Sequence, residues 1–189
     1  MPNSYPEQYR AKLIDTLAHI DTAKVQRAID QLAETRDAGR CIFVCGNGGS
    51  ASTASHFTCD MVKGASYNRD KRFKIMALTD QMATITAYAN DVSYDLVFVE
   101  QLRNFAQKGD LLLAISSSGN SPNVLRAMEY ATLAGCRTIA LTGRDGGALG
   151  PMAALNIQVP VPHMGRIEDA HMIVCHMICY SFMDTAATA

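Results

Sequence analysis

The chain has 189 residues, and its 17 Lys and Arg nearly balance its 18 Asp and Glu. This length fits one α/β domain, residues 1–189, and is short for two independent domains. Without a basic field the chain is not expected to hold nucleic acid or a membrane surface, so any anionic ligand must be bound locally. No apolar run approaches the roughly 20 residues of a membrane span, and no signal-peptide pattern begins the chain, so we expect a cytoplasmic protein.

The first 38 residues form a predicted helical arm. An apolar stripe runs from about Gln8 to Ala38 and is interrupted near Asp21, which predicts one bent helix or two helices. Because the arm precedes the alternation of strands and helices, it needs a surface to cover. A neighbouring subunit is a reasonable candidate, so we expect a homo-oligomer.

Five short apolar runs are predicted as buried strands, because they are apolar on both faces and end at Gly, Ser or Thr. They are Cys41–Cys45, Phe73–Leu78, Leu111–Ile115, Thr138–Leu141 and Asn156–Val159. Helical stretches lie between most of them, which favours a parallel sheet with right-handed crossovers in a three-layer α/β/α sandwich. The six cysteines include no CxxC pair, and we predict free, buried thiols in a reducing compartment.

A glycine turn, residues 46–50 with the sequence Gly-Asn-Gly-Gly-Ser, follows the first predicted strand. Such a turn exposes backbone N–H groups at a helix N-terminus, where the helix dipole favours an anion. The turn lacks the GKS or GKT of a P-loop and the GxGxxG of dinucleotide binders, so no nucleotide cofactor is expected. Taken alone, a tight strand-to-helix turn explains it equally well.

A serine loop, residues 116–121 with the sequence Ser-Ser-Ser-Gly-Asn-Ser, follows the third predicted strand. Pro122 suits the first turn of a helix that Ser121 can cap. Four serines at the carboxyl edge of a parallel sheet are neutral donors that can wrap a phosphate, and open α/β sheets bind ligands at that edge. The two loops together favour phosphate binding.

Two helices carry acid–base and metal candidates. His56 and Asp60 stand four residues apart after the glycine turn, so they project from one helix face. Glu168 and His176 share a stripe on the apolar helical run Ile167–Met183. If the two faces meet, the four side chains could bind zinc or a similar divalent ion, or could move protons between adjacent sugar carbons. Taken alone, a histidine here is more often a hydrogen-bonded core residue, and a carboxylate near a helix surface is more often solvated.

Both loops resemble those of the sugar isomerase (SIS) domain family, whose phosphosugar sites combine a Gly-Asn-Gly-Gly-Ser turn with a Ser/Thr-Ser-Gly-Asn-Ser loop. Ala89-Asn90-Asp91, Leu141–Gly147 and Arg166-Ile167-Glu168 make the chain similar to the phosphoheptose isomerase branch. The resemblance implies a five-stranded parallel sheet between helices and a homotetramer with active sites shared between subunits. It also implies an aldose–ketose isomerase that converts sedoheptulose 7-phosphate to D-glycero-D-manno-heptose 7-phosphate.

The resemblance implies roles for individual residues. The expected substrate-binding residues are Asn47, Gly48, Gly49, Ser50, Asn90, Asp91, Ser116, Ser117, Ser118, Ser121 and Glu168. A divalent metal, with zinc expected, would be held by His56, Asp60, Glu168 and His176. In an enediol mechanism we expect Asp60 as the base and His176 as its acid–base partner.

Three positions depart from the family pattern. Asp60 is one methylene shorter than the family's Glu, and a displacement of about 1 Å can cost on the order of 100-fold in rate. Glu168 replaces a Gln, and its added negative charge favours a divalent ion. Ala65 stands where Arg is common. The candidates to replace that arginine are Lys63, Arg69 and Arg72.

Two alternatives stay open. One is a non-catalytic regulator resembling the proteins that associate with the DnaA initiator, which lack the carboxylate at the position of Asp60. The other is an isomerase for a different ketose phosphate, for which Asp60 and Ala65 are the reasons. Of the other histidines, we expect His171 to pack or support the site, His163 to be exposed and His19 to be structural.

Overall fold

Strands and helices alternate from Cys41 onward in the computed structural model, which describes residues 4–184. Five strands form one sheet: β1 Cys41–Gly46, β2 Lys74–Ala77, β3 Leu111–Ser116, β4 Arg137–Gly143 and β5 Leu155–Val159. Their order is β2-β1-β3-β4-β5, and every neighbouring pair is parallel. The predicted fold class is confirmed.

Within residues 4–184, eight α-helices surround the sheet. They are α1 Tyr5–Ala18, α2 Thr22–Asp37, α3 Gly49–Cys59, α4 Met82–Asp91, α5 Val99–Phe105, α6 Pro122–Leu133, α7 Leu149–Met152 and α8 Met164–Asp184. Helix α3 continues into a π-helical turn, Asp60–Gly64, and single 3₁₀ turns lie at Leu78–Asp80 and Tyr94–Leu96.

The sheet has a hydrophobic core on each face, because its three central strands, β1, β3 and β4, are buried on both faces. Leu111, Leu113 and Ile115 of β3 pack with α2, α3 and α8 on one face. Leu112 and Ala114 point the other way and pack with α5 and α6. This alternation fixes α3 and α8 on the same face of the sheet.

The N-terminal segment divides into two helices where the sequence predicted a break. Asp21 caps α2, and its carboxylate accepts a hydrogen bond from the Lys24 N–H at 3.1 Å. Helix α2 buries four side chains and contacts α8 and the sheet, so it belongs to one outer layer of the sandwich. Helix α1 buries only Thr16 and packs on α8, so α1 alone is peripheral.

All six cysteines are free thiols. Cys45, Cys175 and Cys179 are buried, as predicted, and burial raises the pKa of the Cys45 thiol to about 12. Cys59 is exposed at the end of α3, so the prediction of buried thiols is wrong there. Among residues 4–184, no helix combines the length and the apolarity that crossing a membrane requires.

Candidate active site

The glycine turn and the serine loop meet at the carboxyl edge of the sheet. They follow β1 and β3, which are neighbours in the sheet although β2 lies between them in the chain. At such a switch point the connections leave in opposite directions and open a crevice, where α/β proteins bind ligands. A cavity of about 270 Å³ lies there. Its lining includes Asn47, Gly48, Gly49, Ser50, Ser116, Ser117, Ser118, Ser121 and Glu168.

The glycine turn brings the N-terminus of α3 against α8. Gly48 has a φ of +52°, in the left-handed region that favours glycine, and α3 begins at the next residue. A Cβ on Gly49 would lie 2.7–2.8 Å from the Glu168 carboxylate, so only glycine permits this approach. Glu168 therefore lies at the cavity wall beside the positive end of the α3 dipole.

The serine loop concentrates hydroxyl groups in the cavity. The Oγ of Ser116 lies 3.3 Å from that of Ser121 and 3.5 Å from that of Ser118. Ser117 is buried, and its Oγ has no hydrogen-bond partner within residues 4–184. A buried hydroxyl left without a partner costs about 1–3 kcal/mol.

A second glycine segment buttresses the serine loop. Gly119 has a φ of +66°, and a Cβ there would overlap the carbonyl oxygen of Gly146. The N–H of Leu149 donates to the Gly119 oxygen at 2.9 Å. A Cβ on Gly147 would lie 2.6 Å from the Ser118 oxygen. The glycines that resembled a family motif therefore support the loop by close packing.

Asn47 of the glycine turn is held by two residues that sequence reasoning missed. Its Oδ1 accepts from the Tyr94 hydroxyl and from Asn123 Nδ2, each at 2.9 Å, and its Nδ2 donates to Asn123 Oδ1 at 2.8 Å. Tyr94 follows the Asn90-Asp91 pair by only a few residues, and Asn123 follows Pro122 at the start of α6. In the sequence, the hints to these two residues were that Tyr94 lies close to the Asn90-Asp91 pair and that Asn123 adjoins Pro122.

A second cluster of polar groups lies farther along α3 and α8. His56 Nε2 is 3.2 Å from Asp60 Oδ2 and 3.1 Å from His176 Nε2, and His176 Nε2 is 3.8 Å from Asp60 Oδ2. Asp60 begins the π-helical turn, a feature found frequently at functional sites. The side chains of His56 and His176 are 50% and 42% exposed, so the cluster opens to the surface. The predicted convergence of the two helices is thus observed for these three residues.

The three residues fit a zinc ion or a similar divalent cation. Their ligand atoms all lie within 4.8 Å of one another. In a tetrahedral zinc site with bonds of about 2.0–2.1 Å, neighbouring ligand atoms are about 3.3 Å apart, which resembles the spacings observed. Two imidazole nitrogens and one carboxylate oxygen are also a zinc ligand set that leaves a fourth position open. Glu168 is outside this cluster, because its carboxylate lies against Gly49.

The cavity and the cluster lie at two points along one pair of packed helices. Glu168 at the cavity and His176 in the cluster are eight residues apart on α8, which corresponds to about 12 Å along the helix axis. Helices α3 and α8 pack on each other between these points. A ligand that reached from the serine loop to the cluster would follow this helix pair.

Two of the predicted substrate-binding residues lie away from the cavity at the two loops. Asn90 and Asp91 are exposed at the end of α4, where Asn90 Nδ2 donates to Asp91 Oδ1 at 2.7 Å. Neither lines the cavity at the two loops, and Asp91 borders a separate one of about 230 Å³.

Ala65, at the position where the family commonly has arginine, lies in the hydrophobic core. Ala65 is 1% exposed in the core, where a guanidinium would be buried. Arg69 donates to the carbonyl oxygens of Phe182 and Met183 near the end of α8, at 2.7 and 3.1 Å. Neither Arg69 nor the other two candidate cations, Lys63 and Arg72, line the cavity at the two loops.

The remaining histidines have structural surroundings. His171 is 1% exposed and its Nε2 lies 3.1 Å from the Thr142 carbonyl oxygen, so Nε2 carries the proton that it donates. Burial lowers the pKa of His171 to about 4, while the bond to Thr142 acts in the opposite sense. His171 is therefore a neutral residue packed in the core, and packing is one of the two roles predicted for it. His163 and His19 are exposed.

Comparisons with known proteins extend these observations. The family model of the SIS domain matches residues 7–143. A phosphoheptose isomerase from Aliarcobacter butzleri is 41% identical over 170 residues, which cover 89% of this chain and 87% of that protein. The structure of a phosphoheptose isomerase from Neisseria gonorrhoeae matches with a TM-score of 0.86 and 32% identity, over 93% of this chain and 95% of that one. One from Francisella tularensis matches with a TM-score of 0.86 and 30% identity, over 95% and 96%.

Proposed function

The chain belongs to the SIS domain family, and from that premise we propose that it is an aldose–ketose isomerase converting sedoheptulose 7-phosphate to D-glycero-D-manno-heptose 7-phosphate. The main observation is that the cavity at the two loops and the His–Asp–His cluster both border the helix pair α3 and α8, about 12 Å apart along α8. An extended seven-carbon sugar phosphate spans about 10 Å from C1 to phosphorus, given carbon–carbon bonds of about 1.5 Å. The phosphate and the reacting carbons of such a ligand would reach the two places together.

The loops would hold the phosphate without a cation. Ser116, Ser117, Ser118 and Ser121 supply hydroxyl donors, and the start of α3 supplies backbone N–H groups with a favourable dipole. Glu168, at the wall of the same cavity, would accept hydrogen bonds from sugar hydroxyls.

The cluster would move the protons. The Asp60 carboxylate takes a proton from C1 of the ketose while His176, whose Nε2 faces Asp60 and His56, gives one from Nδ1 to the C2 carbonyl oxygen, which forms an enediol. The O1 proton then leaves as C2 receives a proton, so the net change is one proton from C1 to C2 and one from O1 to O2. Asp60 and His176 lie 3.8 Å apart, which is close enough to serve adjacent atoms of one substrate.

We propose zinc as the ion that His56, Asp60 and His176 hold. When bound, it would act as a Lewis acid that polarises the sugar oxygens. Asp60 faces both histidines with Oδ2, so its Oδ1 stays available for the proton from C1. Each imidazole must offer an unprotonated nitrogen to the ion, so metal and protons compete for the same atoms.

We also propose a cytoplasmic homotetramer in which subunits share active sites. Two exposed apolar side chains lie close to the half-exposed cluster: Tyr180, whose ring centroid is 6.1 Å from that of His176, and Val62, two residues after Asp60; each is at least 50% exposed. A neighbouring subunit would cover them, and would bring Asn90 and Asp91 of one chain within reach of another chain's site. Sedimentation velocity tests this: a species of four chains supports the tetramer, and a monomer at micromolar concentration contradicts it.

The isomerase proposal is tested by following aldose–ketose conversion with zinc-loaded protein and with ketose phosphates of five, six and seven carbons. Asp60→Asn and His176→Ala should each lose at least 100-fold in kcat, because each removes a side chain that is both a proton-transfer group and a proposed metal ligand. Asp70→Asn and His19→Ala, both exposed sites outside the cluster, serve as matched controls.

Preference for the seven-carbon substrate supports the assigned sugar, whereas preference for a shorter one moves the proposal to another ketose phosphate. Tight binding of every sugar phosphate without turnover would instead indicate a non-catalytic regulator. Full activity of Asp60→Asn would show that Asp60 is not the base.

A further inference from the structure

The carboxamides of Asn123 and Asn47 have only one consistent orientation. The backbone N–H of Val124 lies 3.0 Å from Asn123 Oδ1, and an N–H can only donate, so that atom is the amide oxygen. The other end of Asn123 is then its NH₂ group, which donates to Asn47 Oδ1. Asn47 Nδ2 in turn donates to Asn123 Oδ1. The start of α6 therefore sets the orientation of a side chain in the glycine turn.

Tyr94 completes this arrangement. Its hydroxyl lies 2.9 Å from Asn47 Oδ1, an atom that can only accept, so the tyrosine is the donor. With two hydrogen bonds received, both lone pairs of Asn47 Oδ1 are used. Of the two Nδ2 hydrogens of Asn47, one goes to Asn123, and the second has no acceptor within residues 4–184. Asn47 lines the cavity at the two loops.

We propose that Tyr94 and Asn123 are positioning residues that lock Asn47 with one N–H donor directed at an acceptor oxygen of the bound ligand. The inference rests on the proposed function only for the ligand's identity, a sugar phosphate. Without the lock, the amide can rotate by about 180° and present its oxygen, which repels an anionic or carbonyl oxygen. Asn123 is 1% exposed and Tyr94 is 51% exposed, so the lock has a buried side and one open to solvent.

The kinetic test uses Tyr94→Phe, which removes only the hydroxyl. We expect KM for sedoheptulose 7-phosphate to rise about 2- to 12-fold, the range for one neutral hydrogen bond, with kcat changed less than about 2-fold. Tyr130→Phe is the matched control, because the Tyr130 hydroxyl makes no hydrogen bond within the described chain and lies in a different cavity.

A double-mutant cycle then separates positioning from direct contact. In an Asn47→Ala background, Tyr94→Phe should leave KM unchanged, because its effect passes through Asn47. The same rise in KM in both backgrounds would overturn the proposal and make Tyr94 a direct ligand contact. No rise in KM in either background would also overturn it.

A second readout needs no turnover. In the free protein, hydrogen exchange of the Asn47 side-chain amide, followed by NMR, should be faster in Tyr94→Phe than in the wild type and in Tyr130→Phe. If exchange is faster in Tyr94→Phe but the wild type has no isomerase activity, the proposed function is wrong and the positioning of Asn47 by Tyr94 still holds. Equal exchange rates in all three proteins would show that Tyr94 does not hold the Asn47 amide, whatever the isomerase activity.

Discussion

Lowering the pH from 7 to 4 should destabilise the folded protein through His171. In the folded state burial lowers the pKa of this side chain from an ordinary 6.5 to about 4. Its neutral form is therefore favoured by folding, and the unfolded chain binds more protons throughout this interval. The contribution to stability is fully present above pH 6.5 and is lost progressively as the pH falls towards 4. A shift of about 2.5 pKa units corresponds to about 3 kcal/mol.

The variant His171→Gln isolates this contribution. Glutamine cannot titrate, and its Nε2 can keep the hydrogen bond to the Thr142 oxygen. Denaturant unfolding at several pH values, at one fixed protein concentration, gives the free energy of unfolding for both proteins. The wild type should lose about 3 kcal/mol more than His171→Gln between pH 7 and pH 4. Parallel curves for the two proteins would refute the reasoning, since they would mean that His171 titrates alike in the folded and unfolded states.

Three further predictions concern the metal cluster, the thiols and the serine loop. His56→Ala should weaken zinc binding at least 100-fold by calorimetry, because it removes one of three ligands, while His19→Ala should not; equal affinity in both would contradict the assignment. Thiol labelling of the native protein at neutral pH should show one fast cysteine that Cys59→Ser abolishes, and fast labelling that survives this change would be unexpected. Gly119→Ala should lower the free energy of unfolding by more than about 1 kcal/mol and impair phosphate binding, because its Cβ would overlap Gly146; unchanged stability would show that the loop can shift.

The sequence predicted the fold because its strands carry strong local signals. Apolar runs located all five strands, four of them followed by Gly, Ser or Thr and the fifth by Pro160, and the interruption near Asp21 located the break between α1 and α2. The role of α2 was harder to predict, since nothing local distinguishes a helix that covers its own sheet from one that covers a neighbour. Only packing shows that α2 buries its apolar face within the same chain.

Spacing along a helix predicted part of the site. The four-residue separation of His56 and Asp60 correctly placed both on one face, and His176 meets them from α8. The stripe on α8 gave no sign that Glu168 turns toward Gly49 instead, because that contact depends on the close approach of two helices. Tyr94 was missed for the same reason: its partner, Asn47, is 47 residues away in the chain.

The departure at Ala65 shows a limit of motif comparison. From the sequence, the absence of arginine suggested a lost phosphate ligand that another cation must replace. In the structure this position lies in the core and Arg69 binds the end of α8, so the cavity depends on hydroxyl and backbone donors. Motif comparison gives the residue type at a position, whereas the direction of the side chain depends on the tertiary packing.

Proton transfer at the sugar carbons is the central claim, and NMR of sedoheptulose 7-phosphate in D₂O measures it most directly. With zinc-loaded wild-type protein, deuterium should enter at C1 of the ketose and at C2 of the aldose, and Asp60→Asn should abolish this incorporation. Deuterium incorporation that is unchanged in Asp60→Asn, or conversion of the sugar without exchange in either protein, would contradict the account.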